Sequence, residues 1–412
     1  MQKDQLDCLQ DGGDLICKKT TSLSMSLQTY ISSQSPPPRA RDMTSTTSRT
    51  LTQDRSSSVA TSHTDCSRQL EQTTSNRERR FRRCLGLRPD APVKEDHNKA
   101  PHQELLWSKI RCCLREPLAE FFGMFIMMLI GNGSVAQVLL STGQKDAPGG
   151  NGYGSYQSIC WGTLSWAIAV MLGVYVAGDS GAYLNPAITL ANCVYRQLPW
   201  RRVPLYFLAQ FFASFAASAY VYAIYLGGID RFEGGYGIRT VPPSPKATAQ
   251  IFCTFPQTWV GKGSQVLSEF TASAILMFVV LALNDNTNNG ASKGGGNWLP
   301  LGLFFLVLGL ETGFGWETGP ALNPARDFPP RLMASILGYG HDVWSAGRYY
   351  FWIPLVIPFL GALTGGFLYD AFIYTGESVV NTPWMGFKRL WPREAWRVGK
   401  AHEKNVKGDG LV

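Results

Sequence analysis

The sequence predicts an all-α membrane protein with six transmembrane helices and two re-entrant half-helices in an inverted repeat. Three observations predict this fold class. Apolar stretches of about 20 residues, the length of a bilayer-spanning helix, recur through the middle of the chain. Each half of that region opens with an acidic residue followed by Phe, at Glu120 and at Glu269. The tripeptide Asn-Pro-Ala occurs twice, as Asn185, Pro186, Ala187 and as Asn323, Pro324, Ala325.

Composition divides the chain of 412 residues into three parts. Residues 1–105 are rich in Ser, Thr, Gln, Asp and Arg and have no long apolar run, which predicts a disordered cytosolic N-terminal tail. Residues 106–376 are mostly apolar and form the predicted membrane domain. Residues 377–412 form the predicted cytosolic C-terminal tail. The net charge of +8 comes from basic residues that flank the spans, so we expect no nucleic-acid partner.

Six spans account for the apolar stretches of the membrane domain. Their predicted bounds are 118–140, 158–177, 203–226, 266–283, 299–314 and 350–373. The segment 227–264 is predicted to be a long loop on the outer side. The segments 186–195 and 324–336 are too short to span a bilayer, so each is predicted to be a half-helix that returns to its own side. Such irregular backbone at membrane depth must be buried in protein or line a water-filled cavity.

Each tripeptide is predicted to start one half-helix. Asn at the N-cap position accepts a hydrogen bond from an orphan backbone N–H group, and Pro at the next position has no N–H group to leave unpaired. Each repeat unit contains three membrane crossings, so the second unit enters from the opposite face. The two tripeptides are therefore expected to meet near the middle of the bilayer, one from each side.

Basic residues predict the orientation. They cluster before span one, after the first half-helix and after span six, and the positive-inside rule makes that side cytoplasmic. Both termini are then expected in the cytosol, with the plasma membrane as the expected location. A further basic cluster, residues 79–83, has two interpretations. In the first, the cluster contacts anionic lipid. In the second, which we favour, its basic side chains are exposed to solvent and only reinforce the membrane topology.

Two half-helix N-termini that meet at one point place two positive dipole ends there, which repel cations and disfavour a continuous proton wire. Arg326 follows the second tripeptide and is expected to donate hydrogen bonds to solute hydroxyls; the alternative is a structural Arg paired with a carboxylate.

Glu120 and Glu269 have two interpretations. They are a proton-coupling pair or, as we favour, acceptors for hydrogen bonds from loop backbone N–H groups. Gly361 and Gly365 predict close helix packing.

These residues resemble the aquaporin, or major intrinsic protein, family over residues 116–375. The resemblance implies an aquaporin-like channel domain, a homotetramer and one pore per subunit. Four positions, and the long N-terminal tail, are similar to the glycerol-conducting branch of fungal type. The four positions are Asp327, Arg331, Pro354 and Leu355. We interpret Asp327 as holding the segment around Arg326 rather than as lining the pore.

The predicted selectivity filter consists of Arg326, Trp166, Pro320 and Glu311. Three of these depart from the pattern that the resemblance implies. Trp166 lies one residue closer to the first tripeptide than is usual, Pro320 stands where an aromatic residue is expected, and Glu311 replaces a small residue. If Glu311 faces the pore, the filter is wider and more acidic than usual; the alternatives are a pair with Arg326 or a contact with a neighbouring subunit.

The predicted function is a passive channel for glycerol and other small neutral polyols, with some water, that excludes protons and ions. The alternatives are a water-selective channel, a non-conducting member that acts in adhesion or signalling, and a proton-coupled secondary transporter. No convincing nucleophile–base pair, metal cluster or phosphate loop occurs, so we expect no enzyme, metal or cofactor. The length and the Ser/Thr content of the N-terminal tail predict that it restrains the channel.

Overall fold

The computed structural model of the chain describes residues 76–87, 105–141, 155–288 and 298–382. Within these ranges the secondary structure is helical, and they contain no β-strand. The helices in chain order are α1 (Asn76–Cys84), α2 (Leu106–Cys113), α3 (Arg115–Ser141), α4 (Ser155–Val176), α5 (Pro186–Tyr195), α6 (Val203–Glu233), α7 (Lys262–Asn284), α8 (Leu299–Thr318), α9 (Pro324–Ala334), α10 (Asp342–Tyr349, kinked at residues 346–348) and α11 (Trp352–Phe372).

Six of these helices correspond to the predicted spans. Among the described residues, α3, α6, α7, α8 and α11 are long and apolar enough to cross a membrane, and α4 contributes a shorter apolar stretch, residues 162–176. The two short helices α5 and α9 begin at the two Asn-Pro-Ala tripeptides, as predicted. The predicted all-α membrane fold with two half-helices is confirmed.

Two helices extend at least four residues past their predicted C-terminal ends. The bounds 203–226 are wrong for the third span, because α6 continues through Gly227 and Gly228 to Glu233 and keeps Ile229 fully buried. The helix ends where Gly234 adopts a left-handed φ of 95°. In the same way α8 continues past residue 314 to Thr318 and ends at Gly319, with a φ of 60°. The loop from α6 to α7, here called the long loop, therefore spans 234–261 rather than 227–264.

The prediction that residues 1–105 form a disordered tail is wrong for residues 76–87. Helix α1 lies there, and its Arg82 is only 1% exposed. The Arg82 guanidinium donates to both carboxylate oxygens of Glu116 on α3, at 2.9 and 3.0 Å. The interpretation of the basic cluster as a solvated charge run is therefore wrong for Arg82. Residues 1–75, 88–104 and 383–412 of the predicted tails lie outside the described residues.

The helices form two halves of matching design. In the first half α3 packs against α4 and α6, and in the second half α7 packs against α8 and α11. Helices α4 and α8 join the halves. Each half-helix packs against the other half, α5 on α11 and α9 on α6. Because each half-helix packs against the opposite half, both Asn-Pro-Ala tripeptides are held between the two halves.

Gly361 and Gly365 lie where α11 crosses the backbone of α7. A Cβ atom at Gly365 would lie 2.0 Å from the Ala274 carbonyl oxygen, which is backbone and cannot rotate away. We expect Gly365→Ala to lower the free energy of unfolding by about 1–3 kcal/mol, the usual cost of overpacking. The melting temperature of the purified protein in detergent measures this. The control is Gly309→Ala on α8, where an added Cβ meets no atom within 4 Å; an equal loss in both variants would contradict the prediction.

Candidate functional site

Both Asn-Pro-Ala tripeptides form the predicted helix caps. The Asn185 Oδ1 atom accepts a hydrogen bond of 2.8 Å from the backbone N–H of Ala187. The Asn323 Oδ1 atom accepts one of 2.9 Å from the backbone N–H of Ala325. Pro186 and Pro324 occupy the first helical positions. The caps explain why α5 and α9 begin at these residues.

The two caps are also hydrogen-bonded to each other's loops. The Asn185 Nδ2 atom donates to the Leu322 carbonyl oxygen at 2.9 Å, and the Asn323 Nδ2 atom donates to the Leu184 carbonyl oxygen at 2.7 Å. Each amide nitrogen carries two hydrogens, so one N–H of each Asn is left to donate elsewhere. Both Asn side chains line the same central cavity. The reciprocal bonds were not predicted, because sequence spacing does not show which carbonyl lies opposite.

Leu184 and Leu322, which precede the two Asn residues, have left-handed backbone conformations with φ of 49° and 56°. This conformation is unfavourable for a residue with a Cβ atom and persists where surrounding contacts hold it. Two buried carboxylates supply those contacts. Glu120 accepts from the Leu184 backbone N–H at 2.5 Å, and Glu269 accepts from the Leu322 backbone N–H at 3.2 Å. The two carboxylates therefore fix the turns that orient the capping side chains of Asn185 and Asn323.

The remaining partners of the two acids also lie within the protein. Glu120 accepts from Ser180 at 2.5 Å and from Gln210 at 2.7 Å, and Glu269 accepts from the Tyr350 hydroxyl at 2.9 Å. Both carboxylates are fully buried, and neither lines the central cavity. This geometry fits the interpretation of the acids as backbone acceptors rather than as a proton-coupling pair.

The central cavity has a volume of about 400 Å³ and is bordered by both half-helix N-termini. The four predicted filter residues all line it, namely Arg326, Trp166, Pro320 and Glu311. Most of its other lining residues are apolar, including Val170, Val174, Leu276, Val280, Leu303 and Val307. The wall thus has apolar faces and a few hydrogen-bond donors and acceptors.

Arg326 and Trp166 contact each other directly. The guanidinium carbon lies 4.5 Å from the centre of the indole ring, a cation–π geometry. The Arg326 Nη1 atom also donates to the Phe252 carbonyl oxygen of the long loop at 3.1 Å. Gly131 makes room for the indole, because a Cβ atom there would lie 2.4 Å from the ring. The shorter spacing between Trp166 and the first tripeptide therefore does not remove the indole from Arg326.

Glu311 is half-buried on α8 and lines the cavity. Among the described residues it forms no ion pair with Arg326, so the alternative of a direct pair is not what the structure contains. Pro320 is buried in the turn before the second tripeptide and lines the same cavity. The Pro ring has no side-chain donor or acceptor, whereas the Glu311 carboxylate can accept hydrogen bonds at the cavity wall.

The four positions that resemble the glycerol-conducting branch lie in two different regions of the structure. Asp327 and Arg331 form a buried pair, with the Asp327 Oδ1 atom 2.8 Å from the Arg331 Nε atom. Asp327 also accepts from the Thr254 backbone N–H and hydroxyl, both at 2.7 Å, which holds the long loop. Neither residue lines the cavity, in agreement with the interpretation of Asp327 as a support for the Arg326 segment. Pro354 and Leu355 lie on α11, also outside the cavity wall.

The other end of the cavity contains residues that we assigned no pore role from the sequence. Asn192, Arg196 and Asn284 line it. Two bonds of 2.8 and 3.0 Å join the Arg196 guanidinium to the Asp370 carboxylate, and the guanidinium lies 4.2 Å from the Tyr374 ring centre. The sequence offers one signal for this end of the cavity, because Arg196 comes directly after the first half-helix.

Comparisons with known proteins agree with this architecture. Residues 107–369 match the family described as "Major intrinsic protein". "Aquaglyceroporin-9" of Botryotinia fuckeliana (strain B05.10) is 57% identical over 289 residues, 70% of this chain and 60% of that protein. "Probable aquaglyceroporin-2" of Gibberella zeae is 52% identical over 301 residues, 73% of this chain and 85% of that protein.

A solved structure shares the fold. The X-ray structure of the aquaglyceroporin from Plasmodium falciparum has a TM-score of 0.53 and 28% sequence identity to this chain. The match covers 63% of this chain and 96% of that one. The family match covers most of the described helices, and it includes both capped half-helices and the acids that hold them. The chain therefore belongs to the major intrinsic protein family.

Proposed function

We propose that this protein is a passive channel that conducts glycerol and other small neutral polyols, with some water, and excludes protons and ions. The observation that carries the proposal is the pair of capping Asn side chains, which line one cavity and each keep an N–H group for a passing oxygen. The printed names of the two fungal relatives and of the Plasmodium falciparum structure, all aquaglyceroporins, support it.

The cavity wall matches a polyol chemically. A polyol has hydroxyl groups along one side and C–H groups along the other. Arg326, Asn185 and Asn323 provide donors for the hydroxyls, while Trp166 and the valines provide apolar contact. The N-termini of α5 and α9 add positive dipole ends that disfavour cations. No step in this transport makes or breaks a covalent bond, so the proposal includes no enzymatic activity.

Stopped-flow light scattering on proteoliposomes tests the proposal. Water and glycerol permeability are recorded side by side, with empty liposomes as the reference. Glycerol flux well above the reference supports the polyol channel, and fast water flux without glycerol flux would identify a water-selective channel. A protein that raises neither would favour the non-conducting alternative. Loss of glycerol flux on adding an uncoupler would favour the proton-coupled transporter.

Glu311→Gln tests the acidic filter. A charged acceptor forms stronger hydrogen bonds than an amide oxygen, by about 1 kcal/mol. We expect glycerol permeability to fall about fivefold, with a smaller change for water. The control is Glu317→Gln on the same helix, outside the cavity lining. If both variants change glycerol permeability equally in the stopped-flow assay, Glu311 is not part of the filter.

The chain is a multi-pass membrane protein. The finer proposals are a location in the plasma membrane, cytosolic termini and a homotetramer. Protease protection of epitope tags at either end, in intact and permeabilised cells, tests the orientation. The mass of the detergent-free protein in nanodiscs tests the oligomer.

The N-terminal segment is proposed to restrain the channel from the cytosolic side. Helix α1 is held by Arg82, whose guanidinium also contacts the backbone carbonyls of Cys112 and Cys113. Arg202 donates to the Gly86 carbonyl oxygen, and Leu87 is buried. These contacts connect the N-terminal segment to the start of α3 and to the residues that precede α6.

Arg82→Gln is expected to release α1 and raise glycerol permeability toward that of a variant lacking residues 1–100. The physical reason is that the Glu116 carboxylate loses its two charge-assisted hydrogen bonds. Arg83→Gln is the control, because Arg83 is exposed on the same helix. Equal permeability of the full-length protein and the variant lacking residues 1–100 would refute the restraint.

A further inference from the structure

A second pocket, here called the loop pocket, lies apart from the central cavity and has a volume of about 220 Å³. Its walls come from the long loop, the first turn of α7 and the kinked end of α10. Its lining includes Trp259, Lys262, Gln265, Gly347 and Arg348. It shares no lining residue with the central cavity, so the proposed transport function does not account for it.

The described residues that line the loop pocket include two cations and no anion. Lys262 and Arg348 both line it. The Lys262 Nζ atom donates to the Gly347 carbonyl oxygen at 2.9 Å. None of the residues that line the pocket is an Asp or a Glu. Two cations that face one pocket without a carboxylate favour an anionic ligand such as a phosphate group.

Gln265 adds a buried acceptor. The residue is 4% exposed, and its Nε2 atom donates to the Val260 carbonyl oxygen at 2.9 Å. That bond orients the amide, and within the described part of the chain the Gln265 Oε1 atom has no hydrogen-bond partner. A buried carbonyl oxygen without a partner is costly, so a ligand that donates a hydrogen bond there is favoured. A hydroxyl group supplies such a donor.

Exposed aromatic residues place the loop pocket at the edge of the membrane. Trp259 lines the pocket and is 56% exposed, and its ring centre lies 4.9 Å from that of Trp316, which is 74% exposed. Exposed Trp side chains are enriched at the level of the lipid headgroups. Lys262 is the first residue of a membrane-spanning helix, which places its charge at the same level.

We infer that the loop pocket binds a polyol phosphate, with the phosphate on Lys262 and Arg348 and a hydroxyl group on the Gln265 Oε1 atom. The position beside Trp259 and Trp316 indicates that the phosphate belongs to a lipid headgroup that also carries free hydroxyls. The site is independent of the proposed transport function.

Native mass spectrometry of the purified full-length protein tests this inference with three lipids. Phosphatidylglycerol has the phosphate and the hydroxyls, phosphatidylmethanol has the phosphate alone, and phosphatidylcholine has no net charge. We expect retention in that order. Arg348→Gln should lower retention of phosphatidylglycerol about tenfold, as expected for the loss of a charge-assisted hydrogen bond. Gln265→Leu should remove the preference for phosphatidylglycerol over phosphatidylmethanol.

Lys246→Gln is the matched control. Lys246 is an exposed cation of the same long loop, lies outside the pocket lining and loses the same charge. Equal losses in Arg348→Gln and Lys246→Gln, or equal retention of all three lipids, would overturn the inference. Melting temperatures show that each variant is folded. Free glycerol phosphate that displaces the lipid would assign the site to a soluble polyol phosphate, and absence of displacement would assign it to the headgroup; both results uphold the chemistry.

Discussion

Asp327→Asn is expected to destabilise the protein by about 3–5 kcal/mol, the usual effect of removing one partner of a buried ion pair. The substitution leaves the Arg331 guanidinium, which is fully buried, without its carboxylate. The two Asp327–Arg331 contacts are 2.8 and 3.1 Å long, and the other Arg331 donors contact the Val343 and Thr254 carbonyl oxygens at 2.7 and 2.6 Å. The guanidinium cannot reach water without unfolding this segment.

The same substitution should also alter solute selectivity. Asp327 holds Thr254, which lies two residues after Phe252, whose carbonyl oxygen accepts from Arg326. A shift of this segment moves the Phe252 carbonyl oxygen, which holds the Arg326 side chain of the proposed filter. The melting temperature in detergent and the ratio of glycerol to water permeability are the measurements. Thr254→Val is the milder variant, because it removes the hydroxyl bond to Asp327 and keeps the ion pair.

Asp179→Asn is the matched control for Asp327→Asn. Asp179 pairs with Arg115, and the two side chains are 43% and 39% exposed. Solvent-exposed pairs contribute about 0–1 kcal/mol, so the melting temperature of this variant should change little. Similar melting temperatures for Asp327→Asn and Asp179→Asn would show that the buried pair does not stabilise the fold.

Asn323→Ala is expected to lower glycerol permeability roughly fivefold. The variant loses the cap of α9, which is worth about 0.5–2 kcal/mol, and the bond to the Leu184 carbonyl oxygen. It also loses the donor that we propose for the solute, which costs the solute about one hydrogen bond, or about 1 kcal/mol. Asn185→Ala should have a similar effect, because its contacts mirror those of Asn323.

Stopped-flow permeability of the two single variants and the double variant measures this prediction. The effects should be non-additive, because both Asn residues belong to one hydrogen-bonded centre. Asn284→Ala is the control; Asn284 lines the same cavity, but its Nδ2 atom donates to the Val280 carbonyl oxygen of its own helix. Full glycerol permeability in Asn323→Ala would exclude the capping Asn as a solute donor.

Patterns that are local in the chain predicted much of the fold. Apolar stretches predicted the spans because a bilayer requires about 20 apolar residues for each crossing. The repeated Asn-Pro-Ala tripeptide predicted two capped half-helices, since a cap involves only neighbouring residues. The resemblance to the aquaporin family, rather than a local pattern, brought Trp166, Glu311, Pro320 and Arg326 together as a predicted filter, and all four line one cavity.

Features that depend on distant partners were not predictable in this way. The pairing of Arg82 with Glu116 joins residues that no local pattern connects, so a helix was missed in the expected tail. The extension of α6 beyond Gly227 depends on the burial of Ile229 against other elements. Pro354 and Leu355 fit a family pattern, yet the structure places them away from the cavity.

The sequence by itself determined the membrane fold, the inverted repeat and the helix starts, because these follow from hydrophobic length and from capping between adjacent residues. Only the tertiary structure decided that each capping Asn donates to the opposite loop and that Glu120 and Glu269 hold the left-handed Leu184 and Leu322. The physical reason is that these hydrogen bonds join residues far apart in the chain, whose partners are chosen by helix packing.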